Sequence, residues 1–346
     1  MPEVLLTHTP QLFSIAVERA VDALSRGEVV ALPTETVYGL AANALDSRAV
    51  KRIYALKGRP SFNPVIVHVD SLSLARSLTC DWTELAEELA AAFWPGPLTL
   101  IQRKNPAIPD SVTAGGTTVG IRWPSHPLIS AVIHVAGFPL AAPSANLSNR
   151  VSPTCAAHVV AQFGDRIGLV IDGGDCNVGI ESTVVDACGS DPIVLRPGMI
   201  SAVDINRVCG RTTSPFNERS IPNRGNHEPL RSPGLLSRHY APRGRVAVWS
   251  WTDEADLDRR LASEGVAPDK VVVIAYDRIP MHGRWPNIHL VPNDPEAYAR
   301  AIYSQLHACD ECNIQLIVIE TPPIGPVWEG IRDRLARAST PEAPKL

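Results

Sequence analysis

A chain of 346 residues with 45% hydrophobic and 20% charged residues has ordinary globular composition and exceeds the length at which one core usually splits, so two domains are expected. The formal net charge is −4, and arginines and lysines are scattered, which argues against strong sequence-independent attraction to nucleic-acid phosphates and leaves room only for a local basic patch. Neither a secretory leader nor an apolar run of membrane-spanning length is legible, so no signal and no membrane partner are expected.

Ile15, Val17, Ala20, Val21 and Leu24 share one face at helical spacing and predict a helix over residues 11–25, ended by Gly27. Residues 28–32 then read as a buried strand that delivers Pro33-Thr34-Glu35-Thr36-Val37-Tyr38-Gly39-Leu40 to a turn. Asp46 or Ser47 can cap a helix through Leu56, followed by Lys57-Gly58-Arg59-Pro60. Residues 64–69 predict a strand with His68 near its far end. A helix over 83–93 stops at Trp94-Pro95-Gly96-Pro97, where two prolines and a glycine forbid continuation, and residues 98–101 form the next strand. The glycine turn at 115–116 feeds a strand on which Thr118 and Arg122, four apart, lie on one face.

Three further segments repeat the design of an apolar stretch delivering polar residues to a turn. They are Ala142-Pro143-Ser144-Ala145-Asn146, Ile180-Glu181-Ser182-Thr183-Val184-Val185-Asp186 and Leu195-Arg196-Pro197-Gly198. Taken singly, each admits a plain structural role. Thr34, Glu35 and Thr36 can cap the next segment, Lys57 and Arg59 can satisfy helix-end carbonyls, His68 can be a core histidine and Asn63 a turn former. Taken together they supply hydroxyls, carboxylates and cations beside tight turns, which are the parts of an anion site at strand ends.

Between 209 and 245 periodicity vanishes in favour of Pro, Ser, Asn, Gly and Arg, which marks a linker longer than most loops within a domain. Beyond it, strands over 246–249, 270–275 and 314–319 alternate with helical patterns near 256–264 and 295–307, a βαβ arrangement without a glycine-rich phosphate fingerprint. Seven cysteines spread from Cys80 to Cys312 argue against a disulfide framework and for a reducing compartment, so a cytoplasmic location is expected. Cys309 and Cys312 form a single CxxC with no second pair to complete a zinc site.

PTETVYGL at 33–40, KGRP at 57–60, PSAN at 143–146, ESTVVD at 181–186 and LRPG at 195–198 together make the chain resemble the YrdC-domain threonylcarbamoyl-AMP synthases over residues 10–205. SPGLLSRHYAP at 232–242 resembles the linker motif of the long, two-domain form. The resemblance implies an α/β fold: a YrdC-like twisted mixed sheet with helices over 10–208, a linker or lid over 209–245, and a smaller Rossmann-like α/β domain over 246–340. It implies synthesis of threonylcarbamoyl-AMP and pyrophosphate from L-threonine, bicarbonate or CO2, and ATP with Mg2+ and no dedicated protein metal ligands. The product would pass to the machinery that transfers threonylcarbamoyl to tRNA, with direct tRNA contact not required.

Residue by residue, the resemblance assigns L-threonine to Thr36, His68, Arg122, Ala142 and Ser182. It assigns ATP to Arg59, Asn63, Thr118, Ser144, Ser152, Arg196 and Tyr240. Lys57, Arg59, Ser144 and Asn146 become the catalytic tetrad, while Glu35 and Glu181 take structural or Mg-linked roles. Two other readings stand beside this one. An RNA-binding module is weakened by net acidity and sparse aromatics. The carbamoyl-transfer homologue of hydrogenase maturation needs zinc-finger segments that a single CxxC cannot replace. Without a GxSxG nucleophile elbow, a hydrolase is disfavoured.

Overall fold

The computed structural model describes residues 1–215, 230, 232, 234, 239–280 and 285–339. The chain divides into two compact units, one of Met1–Ser148 with Ser152–Leu235 and one of Asn149–Val151 with Leu236–Leu346. The expected linker over 209–245 falls largely outside the described residues, as does much of the SPGLLSRHYAP motif.

In the first unit the N-terminal half runs β1 (Glu3–Leu6), α1 (Pro10–Ser25), β2 (Val30–Leu32), β3 (Gly39–Asn43), α2 (Ser47–Lys57), β4 (Ile66–His68), α3 (Leu72–Ser77) and α4 (Glu84–Phe93). It continues with β5 (Leu98–Arg103), α5 (Asp110–Thr113), β6 (Thr118–Arg122), α6 (Pro127–Ala136), β7 (Leu140–Ala141) and α7 (Ala156–Phe163). The last elements are β8 (Leu169–Asp172), β9 (Thr183–Asp186), β10 (Ile193–Arg196), α8 (Ala202–Cys209) and β11 (Ser214–Pro215). All eleven strands join one mixed sheet in the order β1-β8-β2-β3-β7-β4-β6-β5-β9-β10-β11.

Both faces of the sheet's middle are covered, which is why β2 reads as an unbroken apolar run. Val30 and Leu32 pack with Ala16, Val17 and Ala20 of α1 and Leu128, Val132 and Ile133 of α6. Ala31, on the opposite face, packs with Val50 and Ile53 of α2 and Val159 and Phe163 of α7. Thr9 caps α1 by accepting from the Leu12 amide, and Pro10 opens its first turn. The buried face of α1 is Ala16, Val17, Ala20, Ala23 and Leu24, whereas Ile15 is 49% exposed. The expected apolar stripe is therefore rotated by about one residue toward small side chains that allow close packing on α6. α2 is capped by Asp46 and stopped by Gly58 at φ +61°, a left-handed position that lets the chain turn directly after Lys57.

The second unit is a four-stranded parallel sheet in the order β12-β15-β13-β14. Its elements are β12 (Arg245–Trp249), α9 (Glu254–Ser263), β13 (Val271–Ala275), β14 (Ile288–Leu290), α10 (Pro295–Glu311), β15 (Leu316–Glu320) and α11 (Glu329–Ala338). The three expected strands and two expected helices are present, and β14 and α11 are additions. Cys309 is buried and Cys312 exposed. Burial pushes the Cys309 thiol up to about 12, the direction opposite to an activated thiol.

Gly198, of the LRPG segment, permits a close approach on which the site depends. A Cβ there would lie 2.5 Å from the Thr183 amide nitrogen and 2.7 Å from Thr183 Oγ1. Gly198→Ala is expected to force the 182–183 backbone outward and to destabilise the first unit by about 1–3 kcal/mol. Urea denaturation measures this, and an unchanged midpoint would contradict the packing argument.

Candidate active site

Arg122 closes β6 and is 4% exposed, beside His68, which closes β4 in parallel register with it. Burying a guanidinium is costly unless it is paired and hydrogen-bonded, and two segments distant in sequence meet that need. Its Nε donates to Gly96 O at 3.2 Å and its Nη1 to Thr36 Oγ1 at 2.8 Å. Nη2 lies 2.8 Å from Glu35 Oε2, a close charge pair without hydrogen-bond alignment. Burial opposes ionisation of Glu35, and the Arg122 charge outweighs it, holding the carboxyl below its ordinary range. Thr34 Oγ1 fixes the turn beneath, donating to Val37 O at 2.6 Å and accepting from the Val37 amide at 3.2 Å.

The turn at Gly96-Pro97 carries a second set of contacts. While Gly96 O holds Arg122, Pro97 O accepts from the Thr183 amide at 3.0 Å, which brings the ESTVVD segment to the same strand ends. Ser182 Oγ lies 2.8 Å from Thr99 Oγ1 and 3.1 Å from Arg196 Nη2. Arg196 also donates through Nε and Nη2 to Ser182 O at 3.1 and 2.9 Å. Thr99 and the carbonyls of Gly96 and Pro97 were not singled out as site residues from sequence. The available signal was a threonine inside the apolar Leu98-Thr99-Leu100-Ile101 run.

Lys57, at the end of α2, is 2% exposed and reaches the PSAN loop. Its Nζ donates to Ser144 O at 2.5 Å, to Asn146 O at 2.6 Å and lies 3.3 Å from Asn146 Oδ1. Burial, then the Arg59 charge, pushes the Lys57 ammonium well below its ordinary range, and Glu181 opposes that shift. Three oxygen acceptors around Nζ match the three donors of the charged form and hold Lys57 as an ammonium. The Ser144 hydroxyl donates to Asn146 Oδ1, and Ser152 Oγ donates to Glu181 Oε1 at 2.5 Å. Arg59 Nε donates to Asn63 O at 3.0 Å and its Nη2 to Asn63 Oδ1 and Pro64 O, both at 2.6 Å. Asn63 is fully buried, and among the described residues its Nδ2 has no acceptor, which leaves a donor for a ligand.

Ala142 follows β7, and its amide donates to Ile66 O at 3.0 Å, next to the strand that carries His68. Thr118 opens β6 and so stands at the other end of that strand from Arg122. Gly120 pairs with Ile66, which sets Thr118 and Pro64 equally far before paired residues and brings Thr118 toward the Arg59–Asn63 end. Tyr240 belongs to the second unit. There its buried ring meets His239 edge-on at 4.0 Å, stacks with Tyr303 at 6.0 Å and lies 5.3 Å from the Arg334 guanidinium carbon. Among the described residues no group of three or more His, Cys, Asp or Glu is placed to hold a metal ion, and no helix is long and apolar enough to cross a membrane.

The family model described as "Telomere recombination" matches residues 22–198, and that described as "Threonylcarbamoyl-AMP synthase, C-terminal domain" matches residues 200–340. The chain is 39% identical to the threonylcarbamoyl-AMP synthase of Bacillus subtilis (strain 168) over 97% of its own length and 94% of that protein. The chain belongs to the threonylcarbamoyl-AMP synthase family. A threonylcarbamoyl-AMP synthase of Pyrococcus abyssi is 37% identical over 91% of this chain and 92% of that protein. The solved structure of P. abyssi Sua5 complexed with L-threonine superposes with a TM-score of 0.85 at 34% identity, covering 98% of this chain and 97% of that one. The two-domain form and the mixed α/β fold of the family are thus both present in this chain.

In this member of the threonylcarbamoyl-AMP synthase family, burial and then the Arg122 charge push His68 down to about 3. An unfolded histidine titrates near 6.5. Between those values the unfolded chain binds more protons than the folded one, so His68 costs stability as pH falls below about 6.5. Between pH 7.5 and pH 5 the wild-type protein should lose about 2 kcal/mol more than a folded His68→Gln variant. Denaturant titrations at the two pH values test this, and equal losses would contradict a neutral, buried His68.

Proposed function

We propose that this chain is an L-threonylcarbamoyladenylate synthase, a nucleotidyltransferase that joins L-threonine, bicarbonate or CO2 and ATP into threonylcarbamoyl-AMP with release of pyrophosphate. The product serves threonylcarbamoyladenosine modification of tRNA, and the cytoplasm is the compartment this reading requires. The observation that carries the proposal is that the five motif segments, far apart in sequence, meet in one network: Arg122 and the Gly96-Pro97 turn join the segments at 33–40, 181–186 and 195–198, Lys57 joins those at 57–60 and 143–146, and the Ala145 amide, donating to Tyr38 O at 2.7 Å, joins the two sets.

Arg122 offers a planar fork to the threonine carboxylate. Neutral His68 and the Ser182 hydroxyl offer polar contacts without adding positive charge beside that guanidinium. Once its ammonium has lost a proton, the threonine amine adds to bicarbonate to give a carbamate and water. A carbamate oxygen then attacks the α-phosphorus of ATP in line, and the bond to the departing pyrophosphate breaks. Lys57 holds the PSAN loop by donating to its carbonyls and places a buried positive charge beside Ser144 and Asn146. Arg59 and Arg196 add cations for the phosphates, and Asn63 Nδ2 adds the unengaged donor. Preorganised charges of this kind stabilise the negative charge that develops in phosphoryl transfer.

Mg2+ bound together with ATP would supply neutralisation of triphosphate charge, an ion that keeps much of its water and needs few protein ligands. Glu181, whose Oε1 accepts from Ser152, supplies a hard oxygen compatible with such an ion. In a reaction of purified protein with ATP, Mg2+, bicarbonate and L-threonine, pyrophosphate release should fall to background when either threonine or bicarbonate is omitted. Equal release without threonine would refute the proposal.

A further inference from the structure

The Arg122 guanidinium carries five N–H donors. One, on Nε, serves Gly96 O and one, on Nη1, serves Thr36 Oγ1, while the Nη2 contact with Glu35 is a charge pair only. At least one N–H on each terminal nitrogen therefore remains, the pair that a ligand carboxylate takes with two parallel bonds. A carboxylate seated there would lie beside the buried Glu35 carboxylate, and like charges at that range in a poorly polarisable site repel unless a cation sits with them.

Glu35 is set for such a cation. Its side chain is 6% exposed, and among the described residues neither of its oxygens has an aligned hydrogen-bond donor, although Arg122 and the backbone of Glu35 and Ser125 lie close enough to favour its charged form. Its backbone is fixed, since Glu35 O accepts from the Val178 amide at 2.7 Å and Thr36 O from the Gly179 amide at 3.1 Å. The other groups bonded to Arg122, the Thr36 hydroxyl and the Gly96 carbonyl, carry no charge. An α-amino acid brings the missing donor on the carbon that bears its carboxylate.

We propose that Glu35 Oε1 receives the α-ammonium of L-threonine while Arg122 receives its carboxylate, so that Glu35 makes the pocket select a zwitterionic amino acid over the same acid without its amino group. This rests on the reading that the pocket takes L-threonine. Glu35 acts in recognition of the incoming substrate, before the ammonium loses its proton.

The test is calorimetric and needs neither ATP nor turnover. L-Threonine and (R)-3-hydroxybutanoate, which keeps the carboxylate, hydroxyl and methyl but lacks the ammonium, are titrated into wild-type protein, Glu35→Gln and Glu35→Asp. Wild-type protein should bind threonine roughly tenfold to a hundredfold more tightly than the hydroxy acid, the ratio set by one charge-assisted hydrogen bond. Glu35→Gln should shrink that ratio to about threefold or less, since an amide neither holds the ammonium as strongly nor repels the second carboxylate. Glu35→Asp, which keeps the charge on a shorter side chain, should give an intermediate ratio and decides the matter if Glu35→Gln does not fold. A full ratio in either folded variant, or no discrimination by wild-type protein that binds threonine, would overturn this inference alone. Wild-type protein that bound neither ligand would overturn the threonine reading and this inference with it.

Discussion

The buried Arg122 guanidinium is the constraint around which the first unit is arranged. A cation with 4% exposure is tolerable only where acceptors and a counter-charge are built around it. Here the acceptors come from the turn after β2 and from Gly96, and the counter-charge from Glu35. The same guanidinium helps to keep His68 neutral, so one side chain sets both the position and the protonation of its neighbours. Loss of its fork would leave Thr36, Glu35 and the Gly96 carbonyl without their common partner.

Lys57 does for the PSAN loop what Arg122 does for the PTET turn. Gly58 ends α2 immediately beyond it, and the ammonium crosses to the carbonyls of Ser144 and Asn146. In both cases a cation on a regular element organises a loop by donating to its oxygens. That division of labour suits phosphate chemistry, because rigid loops and fixed positive charge need no reorganisation when a triphosphate arrives. Gly198 serves the same end from the other side by admitting the Ser182–Thr183 backbone at a distance no side chain would allow.

Much of this was legible in the sequence where local physics decides the outcome. α1, α2 and α4 carry side-chain caps and clear periodicity, and β2, β4, β5 and β6 are apolar runs ended by turn residues. The polar residues at those strand ends were legible because each sits where an apolar run meets a turn. Other elements were hidden. α6 is apolar nearly all round, with Val135 58% exposed opposite its buried face, so its period is masked. β1 is an edge strand with Val4 and Leu6 exposed, β3 is built from small residues, and β7 has two residues. Half of the α11 residues are charged, and only Ile331, Leu335 and Ala338 mark its apolar face. In the site, the Thr99–Ser182 contact and the carbonyls of Gly96 and Pro97 join residues far apart in sequence, and no local pattern announces such partners. Glu35, Glu181, Arg122 and Ser152 were each visible in the sequence, but the pairings Glu35 with Arg122 and Glu181 with Ser152 were not.

The most direct test of the account is L-threonine binding by Arg122→Lys, measured by calorimetry on protein whose folding is verified by its denaturation midpoint. Lysine keeps the positive charge but replaces the planar fork with a point charge, so it separates geometry from charge. The account requires threonine affinity to fall roughly tenfold or more, the scale of one lost charge-assisted hydrogen bond. A folded Arg122→Lys protein that bound threonine as tightly as wild type would contradict it.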